Sequence, residues 1–260
     1  MQNLRRYGNK PFRVAVIHGG PGAAGEMAPV ARELASQRGM LEPLQSATSV
    51  AGQIDELKTV LETDADLPVT LIGYSWGAWL GTLCAAHHPA LVQKLILVSS
   101  GPFEERYTAG IQTTRLSRLS ESERCEMDAL MEAMKDPAVS DKDALLARFG
   151  KLFTRADACD PAPLDDEAPE VCWDIHTRVW REAAQLRSSG KLLALAARIA
   201  CPVLAVHGDY DPHPAAGVRE PLAAALEDFQ FVLLKHCGHK PWIEKQAAGL
   251  FYNVLRDALP

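Results

Sequence analysis

Residues Gly73-Tyr-Ser-Trp-Gly77 place a serine between two glycines. An apolar run at 69–72 precedes this motif, and a segment with helical spacing begins at Trp76. The G-x-S-x-G spacing is typical of a nucleophile on a strained strand-to-helix turn, where the serine Oγ stands clear of the sheet. The alternative is an ordinary Gly/Ser loop. The strand and helix predicted on either side favour the nucleophile, so Ser75 is predicted to be catalytic.

A serine hydroxyl is a weak nucleophile without a base, and the base needs a carboxylate to orient it. Gly208-Asp-Tyr-Asp211 follows a later predicted strand, at the end where parallel sheets carry functional residues. Asp211 is preferred, because Asp209 directly follows Gly208 and is more typical of a residue that shapes the turn. An Asx turn before Pro212 is the alternative for either aspartate.

The candidate base is His239, which follows the next predicted strand. It is preferred over His236 because Gly238 precedes it and Pro241 follows at a predicted helix start. The order serine, aspartate, histidine along the chain is that of a triad on a parallel sheet. The remaining histidines are interpreted as surface or cap residues: His87, His88, His176 and His213.

A glycine-rich motif, His18-Gly-Gly-Pro-Gly22, follows the first predicted strand. Acyl transfer creates an oxyanion that needs two fixed N–H donors. We predict the backbone N–H groups of Gly20 and Trp76 as these donors, with His18 bracing the loop. A phosphate-binding turn is the alternative, but the loop lacks both the P-loop and the dinucleotide-binding glycine spacings.

The elements that must position these residues alternate along the chain. Short apolar runs predict strands at 12–18, 40–44, 69–72, 95–98, 202–207 and 229–234. Helical spacing predicts helices at 26–37, 50–62, 76–88, 218–227 and 241–259. This alternation predicts an α/β protein with a mostly parallel central sheet and helices on both faces.

Residues 101–198 interrupt this alternation and contain no convincing strand. Helical segments are predicted there at 116–135, 144–153 and 173–195, with a stretch rich in Asp, Ala and Pro at 157–169. Because strands resume afterwards, residues 1–100 and 199–260 are predicted to form one core domain and 101–198 a helical cap. Five aromatic residues are candidate pocket walls, with ordinary packing as the alternative: Tyr74, Phe103, Tyr107, Trp173 and Trp180.

Composition narrows the functional classes. The 260 residues are 47% hydrophobic and carry a net charge of -6, so no basic field would attract nucleic acid. No run approaches the roughly 20 apolar residues of a membrane span, and no signal-peptide pattern is present. The six cysteines lack metal-ligand spacing and are predicted to be free thiols. We therefore expect a cytoplasmic protein without a metal or other cofactor.

Together these motifs resemble the α/β-hydrolase superfamily over essentially the full length of the chain. The matching segments are 18–22, 73–77, 208–211 and 238–241. The first two most resemble the proline iminopeptidase branch, and small carboxylesterase-like members are similar. The resemblance implies an α/β-hydrolase fold shortened at its N-terminus, because members usually have two strands before the one predicted at residue 12. The family's D-x-R-G-x-G-x-S loop is absent, and Tyr74 stands where iminopeptidases have glycine.

The expected function is a serine hydrolase that cleaves an ester or amide-type carbonyl of a small-molecule substrate through an acyl-enzyme. A proline iminopeptidase-type aminopeptidase is one alternative, and a non-catalytic small-ligand binding protein on the same scaffold is another. The aminopeptidase would need acidic residues of the insertion to hold the substrate amine. The candidates, each more simply a solvated surface charge, are Glu104, Glu105, Asp174 and Glu182.

Overall fold

A seven-stranded sheet forms the centre of the computed structural model, which describes residues 3–163 and 169–259. Its strands are β1 (Leu4–Tyr7), β2 (Phe12–Ile17), β4 (Gly39–Pro43), β5 (Val69–Tyr74), β6 (Val92–Val98), β8 (Val203–Gly208) and β9 (Phe229–Leu234). They lie in the order β1-β4-β2-β5-β6-β8-β9. β1 is antiparallel to β4, and the other neighbouring strands are parallel. A second, two-stranded sheet pairs β3 (Ala23–Ala24) with β7 (Glu170–Val171).

Ten α-helices connect and cover the strands in the described part of the chain. They are α1 (Ala28–Leu34), α2 (Val50–Asp64), α3 (Trp76–His87), α4 (Ile111–Ser117), α5 (Glu121–Lys135), α6 (Lys142–Asp157), α7 (Trp173–Ser188), α8 (Lys191–Ala196), α9 (Ala216–Ala225) and α10 (Ala248–Ala258). Within the same residues, no helix has both the length and the apolar character to cross a membrane.

Both faces of the sheet are buried. Successive strand residues point to opposite faces, so Leu71 and Leu97 pack with α2, α3, α8 and α9. Ile72 and Val98 pack on the other face with α1 and α10. The predicted α/β architecture, a mostly parallel sheet with helices on both faces, is therefore confirmed.

The N-terminal edge of the sheet differs from the prediction. β1 adds an antiparallel strand before the first predicted one, so the N-terminal shortening is smaller than expected. Arg5 and Arg6 obscured this strand in the sequence, because an edge strand tolerates charged side chains that an apolar run would not contain. The Tyr7 hydroxyl donates a hydrogen bond of 2.6 Å to the buried Glu42 of β4, which fixes this edge.

Residues 101–198, predicted to be a helical insertion, divide between two cores. α4, α5 and α6 surround a small cluster of their own, formed by Leu119, Met127, Leu130, Leu152 and Ala156. Val179 of α7 and Leu192 of α8 instead belong to the main core beside α3. Gly190, with a φ of 75°, separates α7 from α8 where one helix was predicted. β7 is a short strand where none was predicted, and residues 164–168 of the Asp/Ala/Pro-rich stretch lie outside the described residues.

Candidate active site

Ser75 lies on the turn between β5 and α3, with a φ of 52° and a ψ of -112°. Its backbone N–H donates to the Val98 carbonyl at 3.0 Å, which ties the turn to β6. A Cβ on Gly73 would lie 2.2 Å from the Gly77 carbonyl oxygen, and one on Gly77 would lie 2.3 Å from the Ile17 carbonyl oxygen. Both glycines are therefore required for the close approach of the helix to the sheet, as predicted from the motif.

The three residues predicted to form the triad meet at the C-terminal ends of β5, β8 and β9. His239 Nε2 is 3.2 Å from Ser75 Oγ, and His239 Nδ1 is 2.7 Å from Asp211 Oδ2. The side chain of Asp211 is fully buried and that of His239 is 9% exposed. Because the carboxylate can only accept, the neutral imidazole carries its proton on Nδ1 and directs a lone pair at the serine hydroxyl.

Asp211 also accepts hydrogen bonds from a second histidine. The backbone N–H of His213 and its Nδ1 both lie 2.9 Å from Asp211 Oδ1, and His207 Nε2 lies 3.5 Å from Oδ2. Burial disfavours the charged carboxylate, but His239, His207 and His213 outweigh it and hold the pKa of Asp211 well below its usual range. Asp211 is therefore an ionised acceptor surrounded by imidazoles.

The interpretation of His213 as a surface or cap residue is wrong. Its side chain is only 14% exposed and bonds to Asp211. Burial lowers the pKa of His213 to about 4 against the opposing pull of Asp211, so the ring is neutral near pH 7. His207 Nε2 donates to the His213 carbonyl at 2.8 Å, while His207 Nδ1 is buried without a partner. The only sequence signal for this arrangement is the short spacing from Asp211 to His213.

The competing candidates for the acid and the base lie outside this arrangement. Asp209 Oδ1 accepts from the Cys237 backbone N–H at 3.3 Å, and its Oδ2 lies 3.6 Å from Lys235 Nζ. Asp209 therefore links two loops, and His236 is exposed to solvent.

Glu244 fixes the backbone around His239 and was not predicted from the sequence. The residue is fully buried. Its Oε1 accepts from the backbone N–H groups of Gly238 at 2.9 Å and Cys159 at 2.8 Å, and its Oε2 accepts from that of Asp160 at 2.8 Å. One carboxylate thus joins the His239 loop to the end of α6.

Further backbone bonds extend this junction, which we call the seam and define as residues 157–162 against 237–245. The His239 N–H donates to the Asp157 carbonyl at 3.0 Å, and the Ala162 N–H to the Ile243 carbonyl at 2.7 Å. The Asp157 carboxylate accepts two hydrogen bonds from Arg115 of α4, at 2.8 and 2.6 Å. The seam therefore connects the backbone of His239 to two helices of the insertion.

The glycine-rich loop after β2 lies beside the N-terminus of α3. Gly77 of α3 is in close contact with the Ile17 and His18 carbonyls, where this loop begins. His18 is fully buried; its Nδ1 donates to the Gly19 carbonyl at 2.8 Å and its Nε2 accepts from the Gln45 N–H at 3.3 Å. Burial lowers the pKa of His18, so the imidazole is a neutral brace.

The two predicted oxyanion donors lie in different backbone settings. Gly20 has a φ of 104°, a conformation that glycine adopts readily. Trp76 is the first residue of α3, where a backbone N–H has no partner within the helix. The positive end of the helix dipole at this point favours developing negative charge.

A family comparison agrees with this geometry. Residues 14–251 match the model of the Alpha/beta hydrolase family. The chain belongs to this family.

Among curated proteins, this hydrolase is similar to two enzymes named pimeloyl-[acyl-carrier protein] methyl ester esterase. The protein from Nitrosomonas europaea is 27% identical over 199 residues, which cover 73% of each chain. That from Nitrosospira multiformis is 26% identical over 181 residues, which cover 66% of this chain and 62% of the relative. The comparisons thus give the hydrolase esterase-like relatives.

Solved structures show the same fold. VinJ has a TM-score of 0.67 at 18% identity, over 98% of this chain and 93% of its own. The proline iminopeptidase of Mycobacterium smegmatis has a TM-score of 0.63 at 17% identity, over the same shares. The thioesterase domain from the curacin biosynthetic pathway has a TM-score of 0.63 at 21% identity, over 98% and 94%. At these identities the likeness concerns the fold alone.

Of the aromatic residues predicted to line the hydrolase's pocket, Tyr74 contacts the predicted base. Its ring centroid is 5.1 Å from that of His239 and 4.7 Å from that of Trp242. Burial, then the charges of Glu26 and Asp211, raise the pKa of Tyr74 well above its usual value. Tyr74 is therefore a neutral residue packed behind the histidine.

The other four aromatic candidates make their contacts elsewhere. Phe103 is fully buried in the main core. The Tyr107 hydroxyl donates a hydrogen bond to Glu220 of α9. Lys142 Nζ lies 5.6 Å from the ring centroid of Trp173. Trp180 stacks on Trp79, with 5.9 Å between the ring centroids. Trp180 remains 39% exposed.

A metal ion has one possible set of ligands among the described residues. Asp211, His213 and His239 each offer an atom within 4.8 Å of the others. These side chains are already joined by hydrogen bonds to the carboxylate of Asp211. A metal bound through the Nδ1 atoms would replace the bond that orients His239, so it would compete with the arrangement described above.

Proposed function

We propose that the protein is a serine hydrolase that cleaves carboxylic esters of small molecules, with Ser75 as nucleophile, His239 as base and Asp211 as orienting acid. One observation carries the proposal: Ser75 Oγ, on a strained turn, lies 3.2 Å from an imidazole whose other nitrogen is 2.7 Å from a buried carboxylate. The esterase names of the curated relatives support ester chemistry.

The first step would form the acyl-enzyme. Ser75 Oγ attacks the ester carbonyl carbon while His239 Nε2 takes the hydroxyl proton, and the carbonyl electron pair moves to oxygen. Asp211 stabilises the imidazolium. The N–H groups of Gly20 and Trp76 would bind the oxyanion, each contributing about 3 kcal/mol to the lowering of the barrier. As the carbonyl re-forms, the ester C–O bond breaks and the departing alkoxide takes the proton from His239.

The second step would reverse these roles with water. His239 Nε2 removes a proton from a water molecule, whose oxygen attacks the acyl carbon. Collapse of the second tetrahedral intermediate breaks the bond to Ser75 Oγ, which takes the proton back. Water is the only co-reactant, so this cycle needs no metal or other cofactor.

The surroundings of the site complete the proposal. Residues 101–198 would act as a cap on the core domain of 1–100 and 199–260, supported by the contact of the seam with His239. Tyr74 is the pocket candidate that contacts His239, and the other aromatic candidates would lie farther from it. The six free cysteines are consistent with a reducing compartment such as the cytoplasm.

The acidic residues of the insertion favour an ester substrate over a peptide with a free amine, because none of them is available to bind the amine. Each of the four has a partner already: Glu104 with Arg106, Glu105 with Arg187, Asp174 with Arg178, and Glu182 with the Val50 backbone N–H. A charged amine would have to displace one of these partners. Tyr74 in place of the iminopeptidase glycine argues in the same direction.

Two substrates and one variant test the proposal. The protein should hydrolyse short p-nitrophenyl esters faster than prolyl-naphthylamide. We expect Ser75→Ala to lower kcat on the ester by at least about 10⁴-fold, because removing a triad nucleophile has effects of this order or larger. Ser122→Ala, an exposed serine on α5, is the matched control and should retain wild-type kcat.

Active-site labelling provides the second readout. A fluorophosphonate should form one covalent adduct on Ser75, detected by mass spectrometry of its peptide. Absence of an adduct, together with absence of turnover, would favour the non-catalytic binding protein. Faster turnover of the naphthylamide would favour the aminopeptidase.

A further inference from the structure

The carboxylate of Asp211 carries two imidazoles, one on each oxygen. His239 Nδ1 donates to Oδ2 at 2.7 Å, and His213 Nδ1 donates to Oδ1 at 2.9 Å. The centroids of the two rings are 4.6 Å apart and their planes are tilted by 33°. In an imidazole Nε2 lies opposite the Nδ1–H direction, so both Nε2 atoms lie on the side of the rings away from Asp211.

His213 is held in this position from several directions. Its own N–H donates to Asp211 Oδ1 at 2.9 Å, and its carbonyl accepts from His207 Nε2 at 2.8 Å. Pro212 and Pro214 restrict the backbone on both sides. The imidazole is therefore a fixed hydrogen-bond donor to the carboxylate, and its 14% exposure leaves little freedom to turn away.

A hydrogen bond donated to Oδ1 draws charge away from Oδ2. Asp211 then stabilises the imidazolium of His239 less than a carboxylate without that bond would. We propose that His213 is a positioning residue that shares the Asp211 carboxylate with His239. Its hydrogen bond fixes the orientation of the carboxylate and sets the strength of His239 as a base. This inference rests on the proposed serine hydrolase function.

Other charged and titratable groups also face this cluster, from each of the elements packed on it. They are His207 of β8, Tyr74 of β5, Arg115 of α4, Asp157 of α6, and the Lys240–Glu26 pair between the two active-site loops. Burial keeps His213 neutral, with a pKa of about 4. His213 can thus donate from Nδ1 across the neutral pH range.

Three substitutions separate the possible roles of the ring. His213→Asn places an amide N–H where Nδ1 lies and has no group at the Nε2 position. His213→Gln extends an amide toward the Nε2 position and loses the Nδ1 donor. His213→Leu removes both. His87→Asn, at an exposed histidine at the end of α3, is the surface control.

We expect His213→Leu to lower kcat on a p-nitrophenyl ester by roughly ten- to a hundredfold, because the loss of orientation of the Asp211 carboxylate, equivalent to one charge-assisted hydrogen bond, outweighs the charge that Asp211 regains. KM should change less than twofold, because the ring acts through Asp211. The acid limb of the kcat/KM profile should move to higher pH, because Asp211 regains charge on losing a donor. His213→Asn should restore both kcat and the profile, whereas His213→Gln should not.

Three kinetic outcomes would overturn the inference. One is a wild-type kcat and pH profile in His213→Leu. The others are rescue by Gln but not by Asn, and a rise in KM without a fall in kcat; either of these would mean that Nε2 contacts substrate. Thermal melts identify a variant that fails to fold, and the Asn and Gln pair then gives the result without the Leu variant.

A spectroscopic readout is independent of turnover. Imidazole N–H protons bonded to a carboxylate give downfield proton resonances, and the wild-type protein should show two. His213→Asn should remove one and leave the His239 signal, while Ser75→Ala should leave both. Absence of the His213 signal overturns the inference whatever the activity. Two signals in a protein inactive on esters would overturn the proposed function and leave the shared carboxylate supported.

Discussion

Two buried carboxylates, Asp211 and Glu244, hold His239 and its loop, and their hydrogen-bond partners differ in kind. Asp211, in the turn after β8, accepts from the rings of His239 and His213. Glu244, in the loop after β9, accepts from three backbone N–H groups, one of them adjacent to His239 in the chain. Asp211 holds the ring of the histidine, and Glu244 holds its backbone.

This difference in partners predicts a catalytic role for Asp211 and a structural role for Glu244. An imidazole can gain or lose a proton, so the interaction of Asp211 with its partners depends on their protonation. Backbone amides do not titrate, so Glu244 can only hold the loop in place. We therefore expect changes at Asp211 to alter catalysis and its pH dependence, and changes at Glu244 to alter stability first.

The largest effect should come from Asp211→Asn. The amide can present an N–H to His239 and favour the tautomer that cannot accept the Ser75 proton. We expect kcat on a p-nitrophenyl ester to fall on the order of 10⁴-fold, as for the same change in other triads. Steady-state kinetics measure this, with circular dichroism to verify the fold. A loss smaller than tenfold would contradict the role of Asp211.

Glu244→Gln should lower the stability of the protein more than its kcat. The Gln amide group would face a backbone N–H in place of a carboxylate oxygen, so charge-assisted bonds are lost inside the protein. We expect the free energy of unfolding to fall by about 3 kcal/mol, while kcat falls less than tenfold. Urea denaturation measures the first quantity. Glu227→Gln, at an exposed site after α9, is the control and should leave the free energy of unfolding unchanged. If Glu244→Gln lost no more stability than Glu227→Gln, the structural role that distinguishes Glu244 from Asp211 would be contradicted.

The smallest effect is the pH dependence of stability that His213 contributes. Its pKa is about 4 in the folded protein, below the ordinary value of 6.5. Between these values the unfolded chain binds a proton that the folded protein does not, so stability falls as pH falls. We expect a loss of about 2 kcal/mol between pH 6.5 and 4.5 from this residue.

His213→Asn should remove this part of the pH dependence, measured by urea denaturation at the two pH values. His87→Asn should leave it intact. Asp211, whose pKa is depressed, loses its stabilising charge only at still lower pH, so it does not obscure the measurement. An unchanged slope in His213→Asn would mean that the ring is not buried in neutral form.

Much of the fold could be predicted because its signals are local. β9 was predicted with its observed bounds, and α2 and α3 to within two residues, since apolar periodicity reflects burial on one face. β1 and β7 escaped prediction because partner strands stabilise them rather than their own sequence: β1 pairs with β4, and β7 has only two residues. The break at Gly190 depends on a backbone angle, which the helical pattern around it conceals.

The candidate site divides in the same way. The proximity of Ser75, Asp211 and His239 could be predicted because each follows a strand, and neighbouring parallel strands end at one edge. His213 was misread because its contact with Asp211 depends on how the turn folds. Glu244 was missed because a glutamate that binds three backbone N–H groups has the same sequence appearance as a solvated one.

The seam has a consequence for protein engineering. One way to change the substrate of such a protein is to replace residues 101–198 with the equivalent segment of a relative that has another substrate. Here the hydrogen bonds from residues 157–162 hold the loop that carries His239. A chimaera that imports the insertion alone would misplace His239, so the graft should include residues 237–245 as part of the same module.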